Sequence, residues 1–176
     1  MKRSALILST VFALGLPVAA RAQDGSAAVN TSKALWQQLT GYITAVAEET
    51  PEALYAFKPA PEVRSLGQLV GHVAGAQYLI CAAALGEPSR DEDAVERTQT
   101  TKAGLVAALK ASTEYCARAY AQTDAAAQGK TTLFGQERTR LYALMLNATH
   151  NGEHYGNLVT YLRINKIVPP SSRRGM

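Results

Sequence analysis

The sequence predicts an all-α protein, a four-helix bundle with one long crossover between its second and third helices. The chain is rich in alanine and leucine and poor in the alternating Val-Ile-Thr pattern of β-strands. Its apolar residues recur at helical spacing in four long segments. A polar stretch at 87–99 separates the second segment from the third and is too long for a tight hairpin.

The first predicted helix covers residues 31–49, where Thr31 or Ser32 can cap its start. Thr50-Pro51 ends it, because proline cannot continue a helix. The linker 51–64 contains three prolines and is expected to be rigid, with room for one short turn. The predicted apolar stripe consists of Leu35, Trp36, Leu39, Tyr42, Ile43 and Val46.

The second predicted helix begins at Ser65, which forms a capping-box pattern with Gln68, and ends at Gly86. Glycines recur at every fourth position of this helix, at 67, 71 and 75. Residues without a side chain let a neighbouring element approach closely, so we expect tight packing along this face.

The third predicted helix is capped by Thr100 or Thr101 and runs to about residue 123, with Leu105, Leu109 and Tyr115 facing inward. Residues 124–137 are expected to form the last connection. The fourth helix covers about 138–165, and Val168-Pro169-Pro170 follows it. The bundle is therefore predicted over 31–168, followed by a C-terminal tail at 169–176 in which Arg173 and Arg174 are expected to be solvated.

The first 22 residues have the pattern of a secretory signal peptide. Lys2 and Arg3 precede an apolar run at 5–16, and Ala20-Arg21-Ala22 is a small-x-small cleavage site. The apolar run is shorter than a membrane-spanning helix requires. We therefore expect cleavage after Ala22, a periplasmic or secreted protein without a stable membrane anchor, and a flexible start at 23–30.

Removal of this segment changes the charge of the protein. The full chain has a formal net charge of +4, and loss of Lys2, Arg3 and Arg21 reduces it to +1. A nearly neutral chain lacks the basic surface that nucleic-acid binding requires, so no nucleic-acid partner is expected.

The three histidines carry the main functional signal. His150 and His154 are four residues apart on the fourth predicted helix and therefore point the same way. His72 lies on the second predicted helix, which can pack alongside. Imidazole nitrogens placed like this are ligands for a transition metal, and the pattern suits zinc, nickel, iron or copper.

The fourth helix is apolar on two faces. The histidines share a row with Ala143, Leu146, Leu158 and Tyr161, about 160° from the main apolar stripe. We expect the stripe to face the core and the histidine row to line a cleft, with His72 on the opposite wall. The stripe consists of Leu141, Leu144, Met145, Ala148, Tyr155, Val159 and Leu162.

The histidine pair also matches a different metal motif. His150-x-x-Glu153-His154 has the H-x-x-E-H pattern of inverted zinc proteases, which need a further acidic ligand downstream. No Asp or Glu occurs between Tyr155 and Met176, so the sequence does not support a protease.

The two cysteines are expected to pair with each other. Cys81 lies nine residues after His72, about 13 Å along the helix, and cannot bind the same ion. Two cysteines in an exported protein suggest a disulfide. Cys81 and Cys116 lie equally far into their helices, so they are level if the second and third helices run parallel.

Two stretches of the chain resemble the DinB-like family of metal-binding four-helix bundles, in its exported bacterial branch. They are 57–72, which ends at His72, and 150–163, with the sequence HNGEHYGNLVTYLR. The resemblance covers essentially the whole expected mature chain. It implies an up-down-down-up topology, in which the second and third helices run parallel.

The resemblance also implies that His72, His150 and His154 bind one divalent ion. Many relatives read Gly-Gln after the last histidine, whereas this chain reads Gly156-Asn157. Some relatives are thiol-dependent transferases or isomerases. The resemblance therefore implies a thiol-dependent reaction on a small molecule.

Three protein ligands leave at least one coordination position open, as in catalytic metal sites. We expect a metal-dependent transferase or hydrolase, with zinc or nickel favoured and iron or copper as alternatives. Glu153 is the candidate base or a rim carboxylate, Asn147 is expected to orient a ligand, and Tyr155 to pack in the core. A non-catalytic metal-binding or stress-associated module, a bundle with incidental histidines, and a homodimer all stay open.

Overall fold

The computed structural model describes residues 26–173, in which four long helices are joined by short elements. The signal peptide predicted at 1–22 lies outside these residues. The helices are α1 (Ala27–Glu49), α2 (Leu66–Leu85), α3 (Ala94–Thr98), α4 (Lys102–Ala119), α5 (Asp124–Ala127) and α6 (Arg140–Ile164). The strands are β1 (Lys130–Leu133) and β2 (Gln136–Thr139), and 3₁₀ turns cover Glu52–Leu54 and Pro170–Ser172.

Three of the four long helices begin at a capping side chain, but the cap predicted for the first helix is wrong, because α1 begins at Ala27 and both Thr31 and Ser32 lie inside it. The Ser65 hydroxyl accepts the backbone N–H of Gln68 at 3.2 Å, and the Gln68 side chain accepts the Ser65 N–H at 2.9 Å. Gly86 ends α2 in the left-handed conformation, with φ of 73°. Thr101 and Thr139 cap α4 and α6 with their side chains. Of the two predicted alternatives, Thr101 is therefore the cap.

Helices α2 and α4 run parallel. Contacts advance in step along both, because Leu105 packs on Gly67 and Gln77 binds Ser112 at 3.0 Å. Cys81 and Cys116 follow one turn later, joined by a disulfide with a Cα–Cα distance of 5.3 Å. The predicted disulfide is present in the structure.

Helices α1 and α6 also run parallel to each other, in the opposite direction to α2. Leu39 packs against Gly152, and Tyr42 stacks on Tyr155 with ring centroids 5.1 Å apart. Along α2 the order is reversed, because His72 contacts His154 whereas Cys81 contacts Asn147. The topology is up-down-down-up, as the resemblance implied.

Helix α2 occupies the centre of the bundle. It packs against α4 and α6 along its length and against α3 and β1 at its edges. By length and composition alone this helix could cross a membrane, but most of it is buried inside the protein. Burial of most of its surface explains its high content of apolar and small residues.

Two details of the predicted helix faces are wrong. Leu35 is 52% exposed and Met145 is 55% exposed, although both were assigned to core-facing stripes. Leu35 is next to Trp36 and Met145 is next to Leu144, and in each pair the second residue is the buried one. One step along a helix turns the side chain by about 100°, and this moves Leu35 and Met145 to the solvent side.

The segment 124–137, predicted as a plain connection, contains α5 and a β-hairpin. The strands pair antiparallel, and Leu133 lies opposite Gln136. The intervening residues Phe134 and Gly135 have φ of 50° and 73°, which is the backbone of a two-residue primed turn. Phenylalanine is rare at positive φ, and strands of four residues give little periodicity, so the sequence did not indicate a hairpin.

Both ends of the described chain pack on the bundle. Helix α1 begins at Ala27, so the segment predicted to be flexible at 23–30 is helical from that residue onward. The backbone N–H groups of Ala28 and Val29 donate to the Asp124 carboxylate. At the other end, Ser171 binds the Tyr155 hydroxyl at 2.7 Å, and Arg173 pairs with Glu49. Residues 169–173 of the predicted tail therefore pack on the bundle, and Arg173, which was expected to be solvated, forms an ion pair with Glu49.

We predict that the disulfide stabilises the bundle. Replacement of Cys81 and Cys116 by alanine should lower the free energy of unfolding by up to about 4 kcal/mol, the chain-entropy value for a sequence separation of 35. Urea unfolding of the variant and of the wild type, with and without reductant, measures this. Two titratable thiols in denatured, unreduced wild-type protein would contradict the bond.

Candidate metal centre

The structure brings the three predicted histidines together. His72 on α2 faces His150 and His154, which are one turn apart on the antiparallel helix α6. The ring centroid of His72 lies 5.2 Å from that of His150 and 4.7 Å from that of His154. One nitrogen from each ring lies within 4.8 Å of the others. The three imidazoles therefore form one cluster between two central helices.

The histidines are neutral at neutral pH because the protein surrounds them. Burial lowers the pKa of His72 to about 4 and that of His150 to about 3, with neighbouring imidazoles and Arg64 adding to the effect. Burial also lowers the pKa of His154, against the opposing influence of Glu153. Neutral imidazole is the form that binds metal, so the cluster is a ready set of donors.

The spacing of two ring nitrogens suits a shared ion. The Nε2 atoms of His150 and His154 lie 3.0 Å apart. Two nitrogens bound to one ion at about 2.0–2.1 Å are separated by roughly 3 Å when the angle between them is near 90–110°. The spacing of these donors therefore fits a divalent transition metal.

Asn157 holds the ring of His154. Its side-chain amide lies 3.3 Å from His154 Nδ1. With the carboxamide oxygen turned toward the ring, the amide accepts the Nδ1 proton and leaves Nε2 free as a ligand.

The crossover between α2 and α4 covers one side of the cluster. Helix α3 and the residues before it pack on α2 beside His72. Carboxylate oxygens of Asp93 and Glu96 lie within 4.8 Å of a His72 nitrogen. Arg64 pairs with Glu96 at 2.9 Å and with Asp93 at 4.0 Å. The site is thus bordered by a set of paired charges.

A cleft of about 550 Å³ opens next to His154. Its walls come from the proline-rich linker before α2, from the start of α2 and from the C-terminal half of α6. The Tyr161 hydroxyl donates to the Arg64 carbonyl at 2.8 Å and ties the linker to α6. The lining includes Lys58, Glu62, Arg64, Gln68, His154, Asn157 and Tyr161. This composition suits a small polar molecule.

The other predicted site residues lie in different surroundings. Glu153 is exposed and makes no hydrogen bond or ion pair with any residue in the described part of the chain. Asn147 does not orient a ligand at the histidines, because its amide is buried 3.4 Å from Cys81 Sγ and from the Tyr120 hydroxyl. Tyr155 packs in the core as predicted, where it stacks on Tyr42.

Three residues at the site were not assigned there from the sequence. Arg64, Glu92 and Glu96 come from the linker and the crossover, which carry no periodic pattern. Their relation to His72 depends on how these loops fold back on α2. The glycines at 71 and 75 were the available signal, since they indicated that some element approaches this face closely.

Comparison with known proteins identifies relatives of the chain. The family model described as the DinB superfamily matches residues 35–158, a range that includes all three histidines and the crossover. None of the curated proteins matches the chain.

Solved structures share the fold. A DinB-like protein from Bacillus cereus ATCC 10987 is 16% identical, with a TM-score of 0.67 over 80% of this chain and 95% of that chain. A DinB-like protein from Bacillus subtilis is 23% identical, with a TM-score of 0.64 over 82% and 99%. A mycothiol-dependent maleylpyruvate isomerase is 15% identical, with a TM-score of 0.58 over 74% of this chain and 59% of the isomerase.

We predict that each histidine is required for metal binding. The single changes His72→Ala, His150→Ala and His154→Ala should each weaken zinc affinity at least about 100-fold, since loss of a ligand exceeds the 10–100-fold effect of outer-shell changes. Competition with a chromophoric chelator measures the affinity, and circular dichroism checks the fold. Thr149→Ala, an exposed change beside His150, is the control. Unchanged zinc affinity in His72→Ala would contradict the three-histidine site and would leave only His150 and His154 on α6 as ligands.

Proposed function

The chain belongs to the DinB superfamily, and from this premise we propose that it binds one divalent transition-metal ion through His72, His150 and His154. The observation that carries the proposal is the convergence of three neutral imidazoles, two of which face each other at 3.0 Å. Zinc or nickel is the favoured ion and iron or copper an alternative, because imidazole binds all four.

We propose further that the protein is a metal-dependent transferase or hydrolase that acts on a small molecule with a thiol as co-substrate. A structural neighbour is named as a mycothiol-dependent isomerase, and this supports thiol chemistry on the same fold. The ion would supply Lewis acidity, which lowers the pKa of a thiol or water bound to it. Three protein ligands leave room for such a molecule.

The residues of the cleft would bind and orient the substrate. Lys58 and Arg64 offer cationic donors, and Gln68 offers a carboxamide, all within a cleft that reaches His154. Glu62 and Glu96 balance these charges, so the cleft favours a polar molecule that carries both donors and acceptors. The crossover shields His72 from solvent on the opposite side, since this residue is only 7% exposed.

The alternative is a non-catalytic metal-binding or stress-associated module. It is favoured by the position of Glu153, the base predicted from the sequence, which is exposed and makes no contact with the histidines in the described residues beyond a weak electrostatic influence. A protein that only holds the ion needs no such base. The two functions differ in whether the metal's remaining coordination positions can exchange ligands: a catalytic site requires this and a closed metal-binding site does not.

We also propose that the protein is exported and acts in the periplasm or outside the cell. The support comes from the signal-peptide pattern of residues 1–22. The buried bond between Cys81 and Cys116 agrees with an oxidising compartment.

We predict that the metal centre accepts an external ligand. Protein substituted with cobalt should change its visible absorption spectrum when titrated with cysteine, and also with azide. The azide titration excludes reduction of the Cys81–Cys116 bond as the cause, because azide does not reduce disulfides. An unchanged spectrum at saturating concentrations of both ligands would indicate a closed site and favour the non-catalytic module.

We predict that the mature protein begins at Gln23. Expression of the full chain in a Gram-negative host, followed by intact-mass analysis of the periplasmic fraction, measures the start of the chain. Recovery of protein that retains Met1 would contradict cleavage after Ala22.

A further inference from the structure

The crossover lies unusually close to helix α2. A Cβ atom added to Gly75 would overlap the backbone carbonyl oxygen of Glu92, and one added to Gly71 would lie 3.0 Å from Glu96 Cα. Both glycines are on the face of α2 that carries the crossover, within one turn of His72. The absence of side chains at 71 and 75 therefore allows the backbone of 92–96 to lie against α2.

Ion pairs hold most charged side chains of this segment. Asp91 pairs with Arg97, and Glu96 pairs with Arg64 at 2.9 Å. Asp93 lies 4.0 Å from Arg64. The acidic side chains on either side of Glu92 are thus engaged with arginines, and these contacts fix the conformation of the segment.

Glu92 is the exception and lies next to His72. Its Oε1 atom lies 3.9 Å from His72 Nε2, and its side chain makes no hydrogen bond with any residue among 26–173. Oxygen and nitrogen at 3.9 Å are too far apart for a hydrogen bond. The carboxylate therefore lies beside one member of the histidine cluster without a hydrogen-bond partner in this part of the chain.

A partly buried carboxylate without a partner is costly, and a nearby cation offsets that cost. The side chain of Glu92 is 29% exposed. A divalent ion held by the three imidazoles would carry two positive charges, and neutral imidazoles would not balance them. Carboxylate oxygen is also an accepted ligand of zinc and of other divalent metals.

We propose that Glu92 is the fourth protein group of the metal centre, held at the ion by the packing of the crossover on Gly71 and Gly75. The carboxylate contacts the ion or the solvent molecule that the ion holds. This inference rests on the proposed metal-binding function and extends it to a residue outside the three-histidine motif. Glu92 in turn makes the crossover part of the site, since it joins the conformation of 92–96 to metal binding.

Metal affinity and the spectrum of the cobalt protein test this proposal without an enzymatic assay. Glu92→Gln removes the charge and keeps the size of the side chain. We expect zinc affinity to fall at least about 10-fold and the cobalt absorption bands to shift. Asp91→Asn is the matched control, because it removes one negative charge from the same segment, at a residue that pairs with Arg97. Its affinity should stay within about two-fold of the wild type.

A second variant tests the role of the packing. Gly75→Ala changes no donor, but its methyl group must displace the backbone of Glu92. We expect weaker zinc binding here as well, with the helical content retained by circular dichroism. Unchanged affinity in Gly75→Ala would contradict the role of the packing.

The results separate this inference from the function on which it rests. Wild-type protein that binds no divalent metal overturns both. Wild-type binding that Glu92→Gln leaves unchanged, in affinity and in spectrum, overturns the inference alone. An equal loss in Glu92→Gln and Asp91→Asn would assign the effect to the general negative charge of the crossover and would also overturn it.

Discussion

Burial of most of the surface of helix α2 is the constraint on which the rest of the structure depends. Because α4, α6 and the crossover all pack on it, its surface must be apolar or small at nearly every position. His72, which this helix carries, therefore lies in the interior, where burial keeps the imidazole neutral. The proposed metal site and the core packing thus depend on the same helix.

Helix α6 supplies the second half of the site because it is buried on two faces. Its main apolar stripe packs on α1 and the core, while the row that carries His150 and His154 faces α2. The buried amides of Asn147 and Asn151 lie between these regions, near the disulfide and near Gln77. A polar interior of this kind requires well-defined partners, and it fixes the relative register of α2 and α6. That register brings His72 level with the histidine pair.

The sequence was sufficient for those parts of the molecule that periodicity and capping determine. The capping box at Ser65, the end at Gly86 and the alignment of His150 with His154 were readable, because each depends on local spacing along a helix. The cysteine pair and the association of His72 with the other histidines join separate helices, and they were predicted from the small number of these residues and from the resemblance to the DinB-like family. The exposure of Leu35 and Met145 could not be predicted, because helical spacing alone does not show which side of a helix packs on a neighbouring helix and which side faces solvent. The hairpin at 130–139 and the position of Glu92 depend on loop conformations, and these follow from contacts between segments far apart in the chain.

The disulfide encloses the crossover, because Cys81 precedes it and Cys116 follows it. A single proteolytic cut between residues 87 and 99 would therefore produce two fragments that stay covalently joined. Each fragment would keep its share of the bundle, with α1 and α2 on one side of the cut and α4 and α6 on the other. The histidines are divided in the same way, so the histidine cluster of a nicked protein would be assembled from two chains joined by the disulfide. A protein cut at this point would lose the continuity of its backbone and retain its site.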